Sequence, residues 1–149
     1  MGLKERLKSD LTEAIRARDE VRAGTIRMAL TSITNEEVAG KEARILTDAE
    51  IITVLSREAK KRREAAEAYD SAGSKERGDR ERAEGLVIAE YLPSQLSEGE
   101  LQEMIKAAIA ETGASGPSGM GQVMKVLSPK IAGRADGSKV SAAVKAALS

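Results

Sequence analysis

Apolar residues recur at helical spacing along almost the whole chain. Leu3, Leu7, Leu11 and Ile15 step by four, with Ala14 beside them, and predict a helix over about 2–18. Asp19 is placed to cap a second helix whose stripe is Ala23, Ile26, Leu30 and Ile33, with Gly40 as its stop. Thr47-Asp48-Ala49-Glu50 has the form of a capping box, in which a hydroxyl and a carboxylate satisfy free amides reciprocally. The seam behind it reads Ile52, Leu55, Ala59, Arg62, Ala66 and Tyr69, in steps of three and four that suit packing along a neighbouring helix. Gly73 ends this third helix. Ser74 caps a fourth, which carries Ala83, Leu86, Val87 and Leu92 and is firmest from Glu81 to Tyr91. Gly78 and Gly85 weaken it by about 1 kcal/mol each relative to alanine.

Pro93 marks a hinge, because it lacks an amide hydrogen and restrains Leu92 before it. Ser97-Glu98-Gly99-Glu100 is a second capping box and opens a helix with Leu101, Met104, Ile105, Ala108 and Ile109 on one face. Gly113 closes that helix. Met120, Val123, Met124 and Leu127 form the next stripe, which stops near Pro129. Gly133 to Gly137 is a turn, with Asp136 as N-cap of a last helix carrying Val140, Val144 and Leu148. No strand-like alternation of useful length interrupts the pattern. The expected fold is all-α: an N-terminal four-helix part over 1–93, then a small C-terminal three-helix domain over 94–149.

Composition narrows the chemistry. The 149 residues include no His, Cys, Trp or Phe, and only two Tyr. That excludes a disulfide frame, a thiol nucleophile, a Ser-His-Asp relay and His- or Cys-ligated metal. With no Phe or Trp for a base to stack on, an RRM-type aromatic platform is also excluded. Charged residues make up 32% and apolar residues 41%, too apolar for a disordered chain. The apolar runs are far too short to span a membrane, and Met1 to Asp10 holds no apolar leader core, so a cytoplasmic location is expected. The carboxylates show no spacing that sets them apart from ordinary helix surfaces. No metal or cofactor is expected, and Met104, Met120 and Met124 read as core filling.

Lys plus Arg and Asp plus Glu both number 24, so the chain is formally neutral. The charge is nevertheless uneven. Between Gly113 and Ser149 the only acid is Asp136, against Lys125, Lys130, Arg134, Lys139 and Lys145. An acid-poor basic segment around a turn is the electrostatic footprint of phosphate binding, and Lys125, Lys130, Arg134 and Lys139 are the candidate RNA-contacting residues. The run Lys60-Lys61-Arg62-Arg63 is different. Its members point about 100° apart on a helix, and Glu64 and Glu67 lie at pairing distance in sequence. Arg62 falls inside the apolar seam and needs a buried partner, for which Glu36 or Glu37 is the candidate.

Several segments resemble the YqeY family. They are Arg22-Ala23-Gly24-Thr25-Ile26-Arg27-Met28 followed by Asn35-Glu36, then Lys61-Arg62-Arg63-Glu64, and then Glu90-Tyr91-Leu92-Pro93-Ser94-Gln95-Leu96-Ser97. Met120-Gly121-Gln122-Val123-Met124-Lys125 with Gly133-Arg134-Ala135-Asp136-Gly137 is similar to the tail domain of GatB, a subunit of the tRNA-dependent amidotransferase. The resemblance implies a docking module that helps hold tRNA. It does not bring the amidotransferase's catalytic parts, since this chain has no Gly-rich Ser-Ser-Lys amidase signature and no P-loop. The expectation is therefore a non-catalytic tRNA-associated module whose partners are tRNA and a tRNA-handling enzyme, with no role for DNA or a membrane. Two alternatives stand beside it: a protein-interaction adaptor that binds no RNA, and an amidotransferase-like carbon-nitrogen ligase, with glutamine as amide donor, that acts with a partner.

Overall fold

A computed structural model describes residues 2–149, and every described element is helical. The chain divides into two compact units, the first ending at Leu92 and the second running Pro93–Ser149.

The first unit holds α1 (Leu3–Arg16), α2 (Glu20–Glu37), α3 (Asp48–Ser71) and α4 (Lys75–Ala89). The Asp19 side chain accepts from the Arg22 amide and caps α2. Arg18 precedes it at φ +58°, a left-handed conformation unusual for a residue with a side chain. Thr47 and Glu50 form the full capping box of α3. Gly73, at φ +79°, makes the turn from α3 to α4. Leu7, Ile26, Ile33, Ile51, Leu55 and Ile88 meet in the core, with Tyr91 closing it from beyond the end of α4. The Tyr91 hydroxyl donates to Asp10, and the Arg6 guanidinium lies 4.7 Å from the centre of its ring.

The inner face of α4 differs from the expected one. Leu86 is 71% exposed, whereas Ile88 is buried. Glu84, Ile88 and Tyr91, spaced by four and three, take the inner side instead, with Glu84 3.5 Å from Arg62 and Ile88 in the core. Leu86 lies two residues beyond Glu84, about 200° around the helix, and so faces outward. At the head of the α3 seam the fully buried residue is Ile51, with Ile52 only partly covered. Gly78 lets α4 approach α3 closely: a Cβ there would lie 3.1 Å from the Ala66 carbonyl and against the Asp70 carboxylate.

The second unit holds α5 (Glu98–Thr112), α6 (Met120–Ile131) and α7 (Gly137–Leu148). Ser97 and Glu100 complete the second capping box, and Gly113 ends α5 at φ +65°. A 3-10 turn, Pro117–Gly119, leads into α6. That helix does not stop at Pro129 but runs on to Ile131. Proline removes one amide from the last turn, while burial of Ile131 beneath Leu127 continues the apolar stripe. Leu101, Ile105, Val123, Leu127, Val140, Val144 and Leu148 form the core. All are aliphatic, so the small unit is held by close packing of branched side chains.

Candidate nucleic-acid interface

Charge is sorted by element within the second unit. Helix α5 carries Glu98, Glu100, Glu103 and Glu111 against a single Lys106. The α6–α7 segment carries the five cations and only Asp136. Asp136 is itself engaged, its Oδ1 accepting from the amide and hydroxyl of Ser138 at the start of α7. The segment therefore carries a positive field that no neighbouring carboxylate on α6 or α7 cancels.

The expected contact residues occupy different positions on this segment. Lys125 is exposed on α6, about 200° around the helix from buried Val123. Lys130 is exposed in the last turn of α6, with Nζ 3.7 Å from Glu111 on α5. Lys139 is exposed in the first turn of α7, and Lys145 in its last. Lys125 and Lys130 diverge by about 140° around their helix, and Lys139 and Lys145 by about 120° around theirs. Lys130, Arg134 and Lys139 flank the turn between the helices, while Lys125 and Lys145 lie further along α6 and α7, so the five cations do not share one helix face.

Arg134 has a structural task that its sequence context did not reveal. Its Nε donates to the Ser94 carbonyl at 2.9 Å, and its own carbonyl accepts from the Leu96 amide at 2.9 Å. Gln95 donates to the Gly133 carbonyl at 2.8 Å. The α6–α7 turn thus holds the segment that enters α5.

The first unit contains a buried ion cluster. Arg62 is 5% exposed and its Nη1 donates to Glu58 at 2.9 Å, one helical turn back on α3. Its Nε lies 3.5 Å from Glu84, within ion-pair range but without hydrogen-bond geometry. Its Nη2 lies 2.9 Å from the sulfur of Met28. Glu36, expected as the partner, lies instead 3.9 Å from Arg57, and Glu37 pairs with Lys4 at 2.6 Å. An i,i+4 carboxylate on the same helix and a glutamate on α4 reach Arg62 without crossing to the end of α2. Glu58 also accepts from Ser32 and Lys61. Burial pushes the Glu58 carboxyl up, but the hydrogen bonds from Arg62, Lys61 and Ser32 together hold it below its ordinary range. Glu58 was the residue that sequence reasoning missed; its signal was a charge four residues before an arginine on an apolar seam.

Every charge of this cluster has an opposite partner on α3 or α4, which makes it a structural brace. Among the described residues no group of three or more acidic side chains is placed to hold a metal ion, and no helix is long and apolar enough to cross a membrane.

Two helical units in series, the second with acidic and basic elements set apart, make an all-α protein. The chain belongs to the YqeY family: the model of that family, described as Yqey-like protein, matches residues 4–148. No curated protein matches the chain.

Proposed function

We propose that this chain is a non-catalytic, tRNA-associated binding module that contacts the RNA backbone through Lys125, Lys130, Arg134 and Lys139. One observation carries the proposal: on α6 and α7 the lysines are exposed, while the only acid, Asp136, is occupied at a helix cap. Among the described residues Lys125 and Lys139 engage no carboxylate, so they meet a phosphate without first breaking a pair. Lys130 and Glu111 are both more than half exposed, and such a pair exchanges readily for a phosphate contact. The similarity of 120–125 and 133–137 to the GatB tail supports tRNA as the RNA. Any amide transfer belongs to a partner enzyme, since the residues that would perform it have no counterpart in this sequence.

Recognition here is electrostatic. With no Phe or Trp to stack on bases, the module reads the backbone, and any selectivity comes from shape and from its partner. The test is fluorescence anisotropy with labelled tRNA, comparing the natural chain with Lys125→Glu/Lys139→Glu. Arg134 is left in place because its Nε holds Ser94. Loss of binding with an unchanged helical spectrum supports the proposal. Equal binding by the variant removes these residues from the interface, and absence of binding by the natural chain at low salt favours the adaptor reading.

A further inference from the structure

Four methionines lie among the described residues, and their surroundings differ. Met104, Met120 and Met124 pack against the core of the second unit. Met28 is 46% exposed on α2, and its sulfur touches the Nη2 of Arg62. A half-exposed methionine whose sulfur meets a buried guanidinium is a juxtaposition that neither the RNA contact nor the helix packing requires.

We propose that Met28 is the preferred site of oxidation by peroxide among the described methionines, and that the resulting sulfoxide is held by Arg62. The sulfur lone pair attacks one oxygen of hydrogen peroxide, the O–O bond breaks and an S–O bond forms. Sulfur loses two electrons, and the proton of the attacked hydroxyl passes to the departing oxygen, which leaves as water. Exposure brings the reagent to Met28 before the partly buried methionines. The sulfoxide oxygen is then a far stronger acceptor than the thioether, and a positively charged N–H already faces it. Oxidation of a core methionine normally damages packing, because it places a polar group among apolar ones. At Met28 the new polar group meets a cation whose Nε has no hydrogen bond of its own.

The experiment is brief exposure of the intact chain to dilute hydrogen peroxide, followed by tryptic peptide mass mapping and thermal melting. The peptide beginning at Met28 should gain one oxygen several-fold faster than those carrying Met104 or Met120 and Met124, and the difference should vanish in denaturant. Protein oxidised at Met28 should melt no lower than the untreated chain. Met28→Gln, which offers a carbonyl to Arg62, should melt higher than Met28→Leu, which offers nothing. Equal oxidation of the other peptides overturns the site. A lower melting temperature after oxidation at Met28, or Met28→Gln below Met28→Leu, overturns the role of Arg62.

Discussion

Two glycines of α4 separate two effects that composition treats alike. Both cost helix propensity of about 1 kcal/mol against alanine. At Gly85 a Cβ meets open space, whereas at Gly78 it would meet the Ala66 carbonyl and the Asp70 carboxylate that Arg82 holds. Gly85→Ala should therefore stabilise the chain by about 0.5–1 kcal/mol. Gly78→Ala should give no gain or a loss, because tertiary contact opposes propensity. Denaturant melts of the two variants check this, and equal stabilisation would mean that α4 does not pack closely at Gly78.

The brace on α3 explains which parts of the helices were legible. Caps at Asp19, Thr47, Ser97 and Asp136 rest on local hydrogen bonding between neighbours, and the structure makes these four, whereas Ser74 stands at the head of α4 without a side-chain cap bond. The stripes Val123–Leu127 and Val140–Val144–Leu148 rest on periodicity alone and are buried. The orientation of α4 was not legible, because its inner side carries Glu84, a charge that meets Arg62 on another helix, together with Ile88. The task of Arg134 was hidden likewise, since its partner Ser94 lies 40 residues away. Glu58→Gln should cost about 2–4 kcal/mol, because it leaves Arg62 buried with only Glu84 as a charged partner. Glu58→Leu combined with Arg62→Met should recover most of that loss, and a double-mutant cycle measures the coupling.

Acid should act on the same element. Glu58 has a folded pKa below its ordinary 4.5, so the folded state binds fewer protons than the unfolded chain as pH falls. Its contribution is complete above 4.5 and is lost as pH drops through the folded value. Glu37 shifts in the same direction, chiefly through its hydrogen bond from Lys4. The melting temperature should hold from about pH 7 to pH 5 and then decline. A rise below pH 4.5 would contradict the assignment of these carboxylates as ionised partners.

Across the whole molecule, the formal charge of zero hides a basic segment whose cations outnumber acids five to one between 113 and 149. Net neutrality predicts weak attraction to polyanions in general, so an affinity for RNA must arise locally from α6 and α7. Local contact leaves a thermodynamic trace, because each neutralised phosphate releases counterions. The most direct test of RNA contact by the second unit is the salt dependence of tRNA binding. A plot of log affinity against log salt should fall by about 0.7–0.9 for each phosphate contacted. Lys125→Glu/Lys139→Glu should flatten that slope by about two contacts' worth. An affinity that does not respond to salt, or an identical slope in the variant, would contradict the assignment of this surface to RNA.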